Sequence, residues 1–113
     1  MDCIFCKIAS KIIPSAVVFE DDSLLAFRDI NPVAPVHILI IPKKHIAGIE
    51  TITENDNALL GRILNTARDL AVKENIDKGG YRVVINSGPD SGQLVAHLHF
   101  HLVGGRKGVK EIF

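Results

Sequence analysis

The sequence predicts an α+β fold in which a five-stranded antiparallel sheet carries one long helix. Three observations point there. Short β-branched and apolar runs broken by turn residues fill residues 17–42. A single stretch after Thr53 repeats its apolar residues at helical spacing. Two further strand-like runs follow it, at Tyr81–Ile85 and residues 95–103.

The first three strands are expected at residues 17–19, 24–27 and 36–41. Asp21-Asp22-Ser23 makes a tight turn between the first two, and Asn31-Pro32 with Ala34-Pro35 forces an extended connection before the third. An antiparallel meander is the simplest path. In the helix, Leu59, Leu60, Ile63, Leu64, Ala67, Leu70 and Ala71 build one apolar stripe. Thr53 with Asp56 three residues on resembles a capping box at its start, and Gly79-Gly80 prevents its continuation. The run Asn86-Ser87-Gly88-Pro89-Asp90-Ser91-Gly92 is too rich in turn formers to be regular structure. One amphipathic helix covers one sheet face, so the other face or the edge needs cover that a homodimer would supply.

With 113 residues, 47% of them hydrophobic, the chain fits one domain over residues 1–113. Thirteen Lys and Arg balance thirteen Asp and Glu without forming a basic run, so the footprint of a specific nucleic-acid binder is missing. Anionic partners must be held locally. The first eleven residues lack a charged segment followed by a long apolar one, and no later run reaches the length of a membrane span. A cytoplasmic protein without a membrane partner is expected. The two cysteines, Cys3 and Cys6, have a spacing commoner in metal sites and redox motifs than in disulfide frameworks, which implies a reducing compartment.

The most informative stretch is His97-Leu98-His99-Phe100-His101-Leu102-Val103. On a strand its three imidazoles share one face, while Leu98, Phe100 and Leu102 face the helix. The outer two stem from Cα atoms roughly 13 Å apart, too far for one small metal to take all three. Each neutral imidazole needs partners for both nitrogens, so lining one face with three of them is costly unless a ligand, a metal or one another is engaged.

This stretch resembles the signature of the histidine-triad (HIT) superfamily, specifically its Hint branch of nucleoside phosphoramidate hydrolases. The likeness extends to Cys3-Ile4-Phe5-Cys6-Lys7-Ile8, Phe19-Glu20-Asp21-Asp22, Leu25-Ala26-Phe27-Arg28-Asp29-Ile30, Ala34-Pro35-Val36-His37, Ile41-Pro42-Lys43-Lys44-His45 and Gly104-Gly105-Arg106. The resemblance implies a homodimer with a short N-terminal helix, and a middle histidine, His99, that attacks phosphorus to form a covalent nucleotidyl-imidazole resolved by water. His101 would support developing charge, and His37 matches the family's fourth histidine, which orients it. Related transferases have glutamine at the third position, so His101 favours water as acceptor.

Imidazole suits this role, because much of it is unprotonated near neutral pH and it leaves well once quaternised by phosphorus. By the same resemblance the loop before the histidine strand holds the α-phosphate. Gly88 and Gly92 would let backbone amides approach it, and Asn86 offers a side-chain donor. The family often has Ser or Thr where this chain has Leu94, which leaves Gln93 and the Val95 amide as donors. Asp29 would accept from both ribose hydroxyls, and Ile4, Phe5, Ile13, Phe27 and Ile30 would sandwich a purine. Many bacterial-type relatives begin with Cys-x-x-Cys and hold zinc together with histidines equivalent to His45 and His97. Cys3, Cys6, His45 and His97 are therefore the expected structural Zn2+ ligands.

Two other readings compete. One is a metal-binding regulatory module without turnover. The other is a hydrolase of dinucleoside polyphosphates or adenylated substrates from another branch, against which the missing basic extension and short loops argue.

Overall fold

The computed structural model describes residues 3–105. Arg106 of the closing Gly-Gly-Arg motif and the tail at residues 109–113 lie outside the described residues. The chain forms α1 (Ile4–Ala9), β1 (Val17–Glu20), β2 (Leu24–Arg28), β3 (Val36–Pro42), α2 (Asn57–Lys73), β4 (Tyr81–Ile85) and β5 (Phe100–Gly104). All five strands join one antiparallel sheet in the order β1-β2-β3-β5-β4. The meander is present as expected. β5 then inserts between β3 and β4, which places it inside the sheet beside the central strand β3 and leaves β4 at the edge.

The period-two pattern sends side chains to two different cores. Leu24, Ala26, Ile38, Ile40, Leu98, Phe100 and Leu102 face α2, where Ile63, Ala67, Leu70 and Ala71 meet them. Leu25, Phe27, Leu39 and Ile41 face the other way and pack under Cys3, Phe5 and Ile8 of the N-terminal segment. Part of the cover for the second face therefore comes from α1 within the same chain. Truncating fully buried Ile63 to Ala would cost about 2–5 kcal/mol, because transfer and cavity terms add.

Three details differ from the pattern-based expectation. Thr53 and Asp56 do form a reciprocal capping box, but it closes a single 3-10 turn at Glu54–Asp56 before α2 begins. At the other end α2 stops at Lys73, well before the Gly79-Gly80 pair, because Asn75 takes a left-handed φ of 61° and Ile76 turns back into the core. Leu64, placed on the apolar stripe by its spacing, is 53% exposed.

The last strand-like run is shorter than expected. Regular pairing begins at Phe100 rather than at residue 95. The physical reason is local: β3 ends at Pro42, which has no N–H to donate, and the Leu98 N–H bonds to the Ile46 carbonyl at 2.6 Å. His97 and His99 thus sit on a bent entry to β5, yet the inside-outside alternation survives.

Candidate active site and metal centre

Residues 97, 99 and 101 turn their imidazoles away from α2, and all three are buried. The Nδ1–H of His99 donates to the His97 carbonyl at 2.7 Å. A carbonyl only accepts, so the proton is held on Nδ1 and the Nε2 lone pair is left available. The Phe5 ring stands edge-on to His99, with centroids 5.0 Å apart, and the His101 ring lies 5.1 Å away.

The tautomer of His101 follows from a chain of donors. Strand register pairs His37 with Val103 and Leu39 with His101, so His37 and His101 are diagonal neighbours on one face. The Val33 N–H donates to His37 Nδ1 at 3.2 Å, which obliges His37 to carry its proton on Nε2. That Nε2–H donates to His101 Nδ1 at 2.9 Å, so His101 presents an Nε2–H donor. Burial, reinforced by His99 and His37, pushes the His101 pKa down to about 4, and burial also lowers His37 against the opposing pull of Asp29. The pair is therefore neutral at physiological pH.

Asp29 serves both the local turn and the site. Its N–H bonds to the His37 carbonyl, its Oδ1 accepts from the Asn31 N–H at 2.8 Å, and its Oδ2 lies 3.4 Å from His37 Nε2. The ligand atoms of Asp29, His37 and His101 approach one another closely enough to hold a cation. The hydrogen-bond chain through the two rings accounts for that closeness without one.

The glycine loop is braced on itself. Gly88 and Gly92 both adopt positive φ, 85° and 84°, which L side chains resist. Their N–H groups bond inside the loop, to Gln93 Oε1 at 2.8 Å and to the Pro89 carbonyl at 3.1 Å. Gln93 also donates both amide hydrogens, to the Ala47 and Val95 carbonyls at 3.0 and 2.9 Å. Its carboxamide is a clamp between two loops. Asn86 follows Ile85, which pairs with Phe100, so the register continues to put Asn86 beside His99.

Of the apolar residues expected around a base, Phe5 and Phe27 meet edge to face at 5.7 Å and Ile13 packs on the same cluster. Ile4 is 46% exposed and Ile30 91% exposed, so these two stand at the rim. Val95 packs against the cluster from the entry to β5.

At the far end of the histidine segment, His97 Nε2–H donates to the Pro42 carbonyl at 2.8 Å, which frees the Nδ1 lone pair. Cys3 Sγ lies 3.3 Å from that nitrogen, Cys6 Sγ 3.5 Å and His45 Nδ1 3.2 Å. Cys6 Sγ is also 3.3 Å from His45 Nδ1. These separations match the edges of a tetrahedron about zinc, about 3.3–3.8 Å for the usual Zn–N and Zn–S bonds. Burial and the neighbouring Cys3 thiol push the Cys6 thiol up, a cost that a cation among the four donors would remove. The donor set fits zinc.

Some contributors were invisible in the sequence. The Val33 N–H and the Pro42 carbonyl set two tautomers, yet they are backbone groups with no residue-type signal. Ser87 accepts from the Ile49 N–H at 3.0 Å and donates to Glu50 Oε2, pinning the loop from its other end. A run of turn formers reveals only that a loop exists.

A family model described as HIT domain matches residues 10–108. A "14 kDa zinc-binding protein" of Brassica juncea is 53% identical over 108 residues, covering 94% of this chain and 95% of the relative. "Adenylylsulfatase HINT1" of Arabidopsis thaliana is 53% identical over 106 residues, 92% of this chain and 71% of the relative. Among solved structures, a HIT family hydrolase from Legionella pneumophila superposes with a TM-score of 0.95 at 51% identity, covering 99% of this chain and 100% of that one. Among the described residues no helix is long and apolar enough to cross a membrane.

Proposed function

The chain belongs to the HIT domain family, and from that premise we propose that it hydrolyses purine nucleoside phosphoramidates or related nucleotides through a nucleotide covalently held on His99. The carrying observation is the 2.7 Å hydrogen bond from His99 Nδ1–H to the His97 carbonyl, which leaves Nε2 as a fixed nucleophile. Nε2 attacks the α-phosphorus, and the bond from phosphorus to the leaving nitrogen or oxygen breaks. Water then attacks the same phosphorus and breaks its bond to Nε2. The carbonyl stabilises the imidazolium formed in between.

His101, oriented by His37, donates its Nε2–H to a non-bridging oxygen or to the leaving atom as charge develops. Asp29 accepts from the ribose, Asn86 and the Val95 amide hold the phosphate, and Gly92 and Gln93 shape the loop that carries them. Phe5, Phe27 and Ile13 wall the base, with Ile4 and Ile30 at the rim. Cys3, Cys6, His45 and His97 would hold zinc, whose contribution when bound is a closed structural tether with no open position for water. A homodimer fits the exposed apolar side chains on β4 and α2, namely Tyr81, Val83, Ile85, Leu64 and Val72.

A panel of adenosine and guanosine phosphoramidates, a dinucleoside tetraphosphate and an adenylated amine, assayed with the purified chain, tests the reaction class. A second reading, a zinc-binding module without turnover, draws on the four-residue cluster and on the name of the Brassica relative. Hydrolysis of any nucleotide in the panel with rate enhancement lost in His99→Ala excludes it.

A further inference from the structure

Cys3 and Cys6 are the chain's two cysteines, and both are free thiols. Cys3 has extended backbone just ahead of α1, at φ −93° and ψ 116°, and the Cys6 N–H points at Cys3 Sγ from 3.4 Å. The two sulfurs belong to a set of four donor atoms that all lie within 4.8 Å of one another. Rotation of the two side chains therefore brings them to bonding distance with little backbone movement. A cavity of about 340 Å³ reaches Cys3 and His45 from solvent, and Cys6 is partly exposed, so a small oxidant in water has a path to the pair.

Phe5 lies between the two cysteines in the chain, and its ring stands edge-on to three others. The centroids are 5.0 Å from His99, 5.7 Å from Phe27 and 5.9 Å from His97. Two kinds of contact hold the segment that carries it. Phe5 and Ile8 pack on Leu25, Phe27, Leu39 and Ile41 of the sheet, and the flanking sulfurs approach His97 and His45 at 3.3–3.5 Å. The second kind depends on the oxidation state of sulfur, because a thiolate is a metal ligand and a disulfide sulfur is not.

We infer that Cys3 and Cys6 form a site of reversible oxidative modification: a peroxide joins them in an intramolecular disulfide, which takes both sulfurs out of the metal cluster and loosens the Phe5 side of the base wall. The loss of metal rests on the zinc reading above, and the effect on the base rests on the nucleotide reading. One thiol attacks hydrogen peroxide, the O–O bond breaks, and a sulfenic acid and one water form. The other thiol then displaces a second water from that sulfur as the S–S bond closes, so two electrons pass from the sulfurs to the peroxide and both thiol protons leave in water. A resolving thiol this near intercepts the sulfenic acid before a second oxidation, which keeps the site reversible by thiol exchange. With His45 and His97 as its remaining ligands, zinc loses half its donors and dissociates.

The test treats the full chain, purified without chelator, with hydrogen peroxide. Peptide mass spectrometry should find Cys3 joined to Cys6, a chromophoric chelator should record one zinc released per chain in step with it, and dithiothreitol with added zinc should reverse both. Affinity for adenosine monophosphate, measured by calorimetry, should fall about three- to tenfold on oxidation, the worth of one well-set aromatic contact. Phe5→Leu should oxidise and release zinc as the wild type does, yet lose less than about twofold of its own affinity. Thiols that resist peroxide, a sulfinic acid on either cysteine, a disulfide between chains, or no zinc release would overturn the site. A Cys3–Cys6 disulfide with unchanged nucleotide affinity, or an equal loss in Phe5→Leu, would overturn its link to the base wall. A reduced chain that fails to bind adenosine monophosphate would instead overturn the nucleotide reading, with the disulfide and the zinc release still read independently.

Discussion

His37 Nε2 and His101 Nδ1 meet at 2.9 Å across β3 and β5, and the backbone N–H of Val33 behind His37 decides which way that hydrogen bond runs. Because an N–H can only donate, the whole chain is polarised toward an Nε2–H on His101. The orientation of the His101 imidazole is thus set by a backbone group three residues upstream of the strand that bears its partner.

His37→Phe should therefore lower kcat by about 10- to 100-fold, since a second partner that fixes an imidazole contributes on that scale. His37→Gln, which can still donate to His101 Nδ1, should recover a large part of the loss. Steady-state kinetics of both variants check this, and equal losses would mean that the ring's bulk matters and its proton does not.

Acid should destabilise the fold through the same pair. The folded pKa of His101 is depressed to about 4 from an ordinary 6.5, and His37 is depressed too, so below pH 6.5 the unfolded chain binds more protons. Stability from these groups is complete above about pH 6.5, falls with pH and levels off near pH 4. For His101 alone the loss amounts to about 3 kcal/mol. Denaturant melts across that window should show the slope, and His101→Gln should flatten it.

Cys3→Ser and Cys6→Ser should each lower Tm by about 10 °C or more while reducing the catalytic rate far less, because the cluster joins α1 to the entry of β5 and, on the proposed reading, stands apart from the reacting phosphorus. Metal analysis of protein purified without chelator should find one zinc per chain. Zinc near zero, or chelation that leaves melting unchanged while abolishing turnover, contradicts the assignment.

Light scattering at micromolar concentration should give twice the 12.3 kDa chain mass. β4 is an edge strand with Tyr81, Val83 and Ile85 each 37% exposed, and a monomer would leave that edge open to random pairing.

Periodicity made the sheet and the helix legible, because burial on one face writes itself into every second or every third and fourth residue. It also placed the histidines of residues 97–101 on the face opposite Leu98, Phe100 and Leu102. It could not show that β5 starts only at Phe100, since the Leu98 N–H leaves the ladder beside Pro42 for the Ile46 carbonyl, a partner fifty-two residues away in the chain. Gln93 was legible as a polar residue in the loop expected to hold a phosphate. That its carboxamide is spent on Gly88, Ala47 and Val95 depends on a loop forty-six residues away in the chain. The left-handed Asn75 that ends α2 early carries a weaker signal than the Gly-Gly pair beyond it.

In the proposed reaction His99 Nε2 becomes bonded to phosphorus. Mass spectrometry of the full chain, acid-quenched during turnover of an adenosine phosphoramidate and localised by fragmentation, tests it most directly. The expected result is an adenylyl adduct on His99 that is absent from His99→Ala. An adduct on His97 or His101, or turnover without any adduct, contradicts it.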